Sequence, residues 1–379
     1  MNSKTFCIVP FIGGCIKPNG TLSACCQSKD QTSYRYNQLD DWSNNNDMRE
    51  LRRSLYNGEQ HPWCQRCWTS QSAGQVSLRE SYNKSLASKE IVQKAQLSAD
   101  NNFEFSGPVQ FLDLKLGNLC NLRCVMCSPE SSSRILAEQL QNLQWFPQAK
   151  QLNQTDFAWP ESNEFRNAIE PHLASLQYVK FTGGEPMLNP WIEYFLARLP
   201  SSCIVHIVTN ATIIDDSKIN LLKKFDQVWL TISVDATGDL YQHIRYPANW
   251  KRVSNNIEHL LVQLPQATTW FAVTVGLLSL LEIDTTLNHL CNWKDKIDLI
   301  IISDPDYLGV HAIPDILLAD IERRIANVNN PIYCIQLQKI IATRQHTAEL
   351  WTQFKEYMQQ IKTMRHYKNL VPLDKYLDA

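Results

Sequence analysis

Long apolar runs are missing from this chain: no stretch approaches the roughly 18 uninterrupted apolar residues that a membrane-spanning helix needs, so no membrane partner is expected. An excess of charge of one sign is missing too. Lys and Arg number 36 against 38 Asp and Glu, a formal charge of −2. Nothing global therefore draws the chain onto nucleic acid, and any anionic ligand has to be held locally. Glycine is sparse at 12 of 379 residues, and with 44% of residues hydrophobic the collagen-like and disordered classes are excluded. No internal repeat is visible. A secretion signal is not expected either. The apolar segment from Phe6 to Cys15 ends Ile12-Gly13-Gly14-Cys15 like a lipoprotein cleavage site, but only Lys4 precedes it and Pro10 interrupts it. It reads better as a strand entering the turn Lys17-Pro18-Asn19-Gly20.

Cysteine is what the chain has in excess, with twelve in all. Six lie at 7, 15, 25, 26, 64 and 67, three at 120, 124 and 127, and three are scattered at 203, 291 and 334. Tight clusters in an enzyme-sized chain point to metal ligation in a reducing compartment rather than to a secreted disulfide framework. The expected location is the cytoplasm. The scattered three sit in apolar runs and read as small buried hydrophobes.

The pattern divides the chain into four segments. Residues 1–75 hold short β-like runs, a helical stretch around Met48 to Tyr56 and too few apolar residues for an ordinary core, so a metal staple is expected there. Residues 76–107 read as a helical, polar linker ending at Ser106-Gly107-Pro108. Over 108–305 six apolar strand candidates (Val109–Leu116, Gln177–Thr182, Cys203–Thr209, Gln227–Val234, Thr269–Val275 and Ile297–Ile302) alternate with helical segments. That alternation predicts an α/β fold with a parallel sheet, either a partial (β/α)6 TIM-like barrel or a doubly wound sheet. A small cysteine-rich domain precedes it, and residues 306–379 form a helical carboxy-terminal extension. In both architectures ligands gather at the carboxyl ends of the strands. The polar motifs fall there: the cysteine triad follows the first strand, Gly-Gly-Glu-Pro the second, Thr209-Asn210 the third and Asp235 the fourth.

Cys120, Cys124 and Cys127 place three thiols within eight residues, spaced C-x3-C-x2-C. Such a loop can surround one cubane but supplies no fourth ligand. One iron of a 4Fe-4S cluster would stay open to an exogenous ligand, whereas electron-transfer clusters are usually held by four cysteines and structural zinc wants a fourth protein ligand. The segment resembles the cluster loop of the radical S-adenosylmethionine (SAM) enzymes, whose signature is C-x3-C-x-aromatic-C, with Met126 where an aromatic is usual. The resemblance covers about 109 to 305 and implies a SAM-binding constellation. Met126 contacts the adenine through its backbone, and Thr182, Gly183, Gly184 and Glu185, followed by Pro186, hold the methionyl amino group. Ser233 and Asp235 meet the ribose, and Arg245 reaches the SAM carboxylate. Asn210 contacts SAM, although Ala211 follows it where relatives commonly have glycine. The residue types agree with these roles. Paired glycines admit close backbone approach, and Ser233 and Asp235, two apart at a strand end, point to one face.

Cys7, Cys25, Cys64 and Cys67 resemble the ligands of the auxiliary-cluster modules called SPASM or twitch, and imply a second 4Fe-4S cluster. In relatives the module commonly follows the barrel, whereas here it precedes it. Cys15 or Cys26 are alternates for one ligand, and a four-cysteine zinc ribbon is the competing reading. The resemblance as a whole implies an oxidoreductase that cleaves SAM to a 5′-deoxyadenosyl radical. That radical abstracts hydrogen from a peptide or protein side chain (oxidation, crosslink or epimerisation), with a flavodoxin- or ferredoxin-like electron donor as partner. The alternatives are the same chemistry on a small metabolite such as a sugar, nucleoside or cofactor precursor, and a non-catalytic Fe-S or zinc protein. Asp113 and Lys115 are expected to face the barrel interior as an ion pair. The basic stretch from Arg344 to Lys368 is expected to be a solvated helix face.

Overall fold

The structure, a computed structural model, describes residues 4–30, 32–72, 76–294 and 296–366. Its strands are β1 (Gly13–Ile16), β2 (Leu22–Ser23), β3 (Phe111–Lys115), β4 (Tyr178–Thr182), β5 (Ile204–Thr209), β6 (Val228–Ser233), β7 (Thr268–Val275) and β8 (Ile297–Ile301). They form one open sheet in the order β2-β1-β3-β4-β5-β6-β7-β8. β1 pairs antiparallel with β2, while the pairings β1–β3, β3–β4, β4–β5, β6–β7 and β7–β8 are parallel. The six strands expected between 109 and 305 are β3 to β8, and the partial-barrel α/β class is the one observed. No helix among the described residues is long and apolar enough to cross a membrane.

The chain divides into two compact units. The first comprises Met1–Asn118, Asn153–Ile207 and Asn220–Val228. Here the cysteine-rich segment contributes β1, which lies directly against β3 with Cys15 opposite Asp113. Gly13 makes this approach possible, because a Cβ at that position would lie 1.8 Å from the Phe111 carbonyl oxygen. The segment buries more apolar side chains than its composition suggested, among them Phe11, Trp42, Leu51 and Leu55, and it also buries an arginine. Arg52, on the helix Asn46–Asn57, donates to the carbonyls of Phe103, Pro10 and Ser43 at 2.7, 3.1 and 2.7 Å. Burial, and then Arg49, lowers its pKa to about 10, so it stays charged at neutral pH. Residues 76–107 hold two helices, Leu78–Leu86 and Lys89–Asp100.

The second unit comprises Leu119–Leu152, Val208–Ile219 and Trp229–Ala379. The carboxy-terminal segment is helical over Asp315–Ala326, Pro331–Ala342 and Ala348–Arg365. Lys368 lies outside the described residues. The remainder of the Arg344 to Lys368 stretch is not simply a solvated face, since Phe354, Met358, Ile361 and Arg365 are buried. Their 3- and 4-residue spacing makes a helix stripe that packs inward. Among the scattered cysteines Cys203 is buried as expected, while Cys291 and Cys334 are half-buried.

Candidate cluster and cofactor site

In the second unit the loop carrying Cys120, Cys124 and Cys127 is anchored through its backbone. Arg123 and Val125 donate their amides to the carbonyls of Tyr246 and Ile244 at 2.6 and 2.8 Å. Ser132 Oγ donates to the Leu122 carbonyl at 2.7 Å, and Asn121 Nδ2 to Thr212 Oγ1 at 2.8 Å. Cys120 is buried and the other two thiols are half-buried. Burial raises the pKa of Cys127, as do the nearby Cys124 and Cys120; burial raises that of Cys124, opposed by Arg245. The three sulfurs therefore share one electrostatic neighbourhood. Left alone, Cys124 and Cys127 stay protonated; iron ions taking the thiolates would offset the burial cost and release the protons. The donor set thus fits a three-cysteine cluster.

Arg245 sits beside this loop with its Nε donating to Asp235 Oδ2 at 2.7 Å. The other oxygen of Asp235 accepts from the Thr274 amide at 2.7 Å, and the residue is fully buried. Asp235 thus orients Arg245, and each of its oxygens keeps a further lone pair. Ser233, at the end of β6, is half-buried. Asn210 Oδ1 accepts from the amide and hydroxyl of Thr212 at 2.9 and 2.6 Å, and its Nδ2 donates to Asn121 Oδ1 at 3.3 Å. Ala211 adopts φ +54°, the left-handed region that glycine favours. Met126 is half-buried between Val125 and Cys127.

The Gly-Gly-Glu-Pro motif belongs to the first unit. Thr182, the last residue of β4, donates from Oγ1 to Asp113 Oδ1 at 3.1 Å. Gly183 and Gly184 both have left-handed φ, +73° and +55°. At Gly183 a Cβ would meet the Lys115 Cβ at 2.7 Å, so the position admits no side chain. Glu185 is 1% exposed, and its Oε1 caps the 3-10 turn Pro186–Leu188 by accepting from the Met187 amide at 2.9 Å.

Cys7, Cys25, Cys64 and Cys67 also belong to the first unit, where they line a single cavity with Arg79 and Tyr82. Burial pushes Cys7 up to about 12 and raises Cys25 and Cys64, with the thiols adding to one another's shift. Arg79 is the opposing charge at Cys7, Cys64 and Cys67. Arg79 and Tyr82 come from the helix Leu78–Leu86, so the segment read as a linker walls this cavity. Cys26 and Cys15 do not line this cavity; both feel Asp113, and Cys26 also raises Cys25. Among the described residues no three His, Cys, Asp or Glu side chains are gathered as a site for a single metal ion. No disulfide forms among the twelve cysteines, all of which are described.

A polar row across the first unit's strands escaped the sequence. Register places Cys15 opposite Asp113, Asp113 opposite Lys180, and Lys180 opposite His206. Asp113 is buried, and its ion-pair partner is Lys180 at 4.0 Å rather than the expected Lys115. Tyr178 Oη and His206 Nδ1 are 2.7 Å apart. The available signal was the period-2 polar set Lys180 and Thr182 on β4, which matches Asp113 and Lys115 on β3.

Residues 114–289 match the family described as the Radical SAM superfamily. The chain carries a radical SAM domain. Cys120, Cys124, Cys127 and the Gly-Gly-Glu-Pro motif lie inside the radical SAM domain, as do Asn210, Asp235 and Arg245. Cys7, Cys25, Cys64 and Cys67 lie outside it. The family's cofactors are a 4Fe-4S cluster and SAM. The GTP 3′,8-cyclase of Clostridium botulinum (strain Hall) is 24% identical over 157 residues, 40% of this chain and 44% of that protein. The chain thus spans less than half the length of the curated relatives it matches. Among solved structures, Streptococcus suis SuiB bound to precursor peptide SuiA is 16% identical at a TM-score of 0.40, covering 77% of this chain and 64% of SuiB. Native anSMEcpe with bound AdoMet and Cp18Cys peptide is 16% identical at a TM-score of 0.37, covering 59% of each chain.

Proposed function

We propose that this chain is an oxidoreductase that cleaves SAM reductively and abstracts hydrogen from a peptide or protein side chain. The observation that carries the reading is the pinned loop of Cys120, Cys124 and Cys127 inside a radical SAM domain. A three-cysteine 4Fe-4S cluster with SAM supplies one-electron cleavage of the sulfonium and a carbon-centred radical, chemistry beyond any side chain. The residues' part is to bind and orient. The three thiolates would hold the cluster, and Gly183 and Gly184 would present bare backbone to the methionyl group. Glu185 would accept its ammonium in a charge-assisted bond, with Thr182 and Pro186 shaping the turn. Arg245, held by Asp235, would meet the carboxylate, while Met126, Asn210 and Ser233 would contact the nucleoside.

Cys7, Cys25, Cys64 and Cys67 would complete a second 4Fe-4S cluster, supported by their shared cavity and by Arg79 as a compensating charge. This SPASM-like set is what favours a peptide substrate. A nucleotide or other small metabolite is the second reading, favoured by the likeness to GTP 3′,8-cyclase. A flavodoxin- or ferredoxin-like donor would deliver the electron. Thiols free of disulfides suit the cytoplasm. The test is release of 5′-deoxyadenosine and methionine from SAM by the anaerobically reconstituted, reduced chain. Glu185→Ala should weaken SAM binding by about tenfold or more, one charge-assisted hydrogen bond, at unchanged iron content. A chain that never cleaves SAM refutes the reading, and a variant that binds SAM like wild type refutes the role of Glu185.

A further inference from the structure

The helix Ala348–Arg365 lies outside the segment that matches the family, yet two of its side chains reach the cluster loop. Tyr357 Oη donates to the Val125 carbonyl at 2.9 Å, on the residue that follows Cys124. Arg365 donates from Nε and Nη2 to the two oxygens of Glu138 at 3.0 and 2.8 Å, while Arg123 Nη1 donates to Glu138 Oε1 at 2.9 Å. Arg123, from the loop itself, and Arg365 both lie over the Tyr246 ring, 4.6 and 5.3 Å from its centre. The Arg365 and Glu138 side chains are only 2% and 6% exposed. Two guanidiniums share one carboxylate in a poorly solvated place, where charges are screened far less than in water.

We propose that this helix is part of the cluster site. Tyr357 and Arg365 are positioning residues: the first fixes the loop's backbone between two ligand thiols, and the second ties the loop to the helix through Glu138. The charge of Arg365 also makes a negatively charged cluster easier to reduce. This rests on Cys120, Cys124 and Cys127 being the ligands.

A redox titration of the anaerobically reconstituted full chain, followed by electron paramagnetic resonance, tests the proposal. Arg365→Gln should shift the midpoint of the cluster to more negative potential, and Arg365→Lys should restore it. Tyr357→Phe should lose iron to a chelator about fivefold faster, the factor for one hydrogen bond of about 1 kcal/mol. Tyr357→Phe removes a single oxygen and remains decisive if Arg365→Gln does not fold. With the cluster present, an unchanged midpoint in Arg365→Gln overturns the role of Arg365, and unchanged iron loss in Tyr357→Phe overturns that of Tyr357. A wild-type chain that takes up no cluster, or one whose signal survives alanine at all three cysteines, overturns the ligand assignment along with the proposal.

Discussion

Ala211 holds φ +54° at a fully buried position, and its carbonyl accepts from Asn256 Nδ2 at 2.9 Å. A left-handed alanine costs roughly 1–2 kcal/mol. Glycine would relieve that cost, but it loses a buried methyl worth about 0.8 kcal/mol and adds about 0.4–1 kcal/mol of unfolded-chain entropy. These terms nearly cancel. Ala211→Gly should therefore leave stability within about 1 kcal/mol of wild type, whereas Ala211→Val, β-branched at the same φ, should cost more than about 2 kcal/mol in a urea titration. His206 provides a pH signature. Burial, and then Lys180, holds its pKa well below the usual value, so the fold keeps the imidazole neutral while the unfolded chain protonates near pH 6.5. Below that pH the unfolded chain binds the extra proton, and stability falls by up to about 1.4 kcal/mol per pH unit. The change in urea midpoint between pH 7.5 and 5.5 should shrink in His206→Gln.

Among the elements, β3 to β8 were legible because each is a short apolar run flanked by turns, and parallel strands covered on both faces read that way. The pairing of β1 with β3 was not. It joins segments separated by most of the cysteine-rich region, and only Gly13 against the Phe111 carbonyl reveals it. The row Cys15, Asp113, Lys180 and His206 was hidden for the same reason, since each strand supplies one polar residue and register alone aligns them. Cys120, Cys124 and Cys127 were legible because their ligand spacing is local. The use of Asp235 to orient Arg245 was not, because the Thr274 amide that takes its second oxygen comes from another strand. Nothing in the sequence distinguishes Arg52 from the other charges of the helix Asn46–Asn57, yet it satisfies three buried carbonyls. An unpaired buried acceptor costs about 1–3 kcal/mol, so Arg52→Met should destabilise the chain by about 3 kcal/mol or more. Arg52→Lys should recover part of that loss, as read from thermal unfolding.

At the scale of the whole molecule the two cysteine sets make a stoichiometric prediction. The anaerobically reconstituted chain should bind about eight irons, as two 4Fe-4S clusters, and alanine at Cys120, Cys124 and Cys127 together should remove about four. Zinc equal to protein with about four irons would instead identify the set of Cys7, Cys25, Cys64 and Cys67 as a zinc site.

The placement of β1 against β3 sets an order of events during synthesis. β1 leaves the ribosome about 100 residues before its parallel partner, and at about 5–20 residues per second it waits about 5–20 s with that edge open. Cys7 and Cys15 are outside as that interval opens, Cys25 and Cys26 follow about ten residues later, and Cys64 and Cys67 emerge well before β3 does. The nascent chain therefore exposes an unpaired strand edge together with six of its twelve thiols. Its vulnerability to oxygen and to aggregation is concentrated in the time of its making.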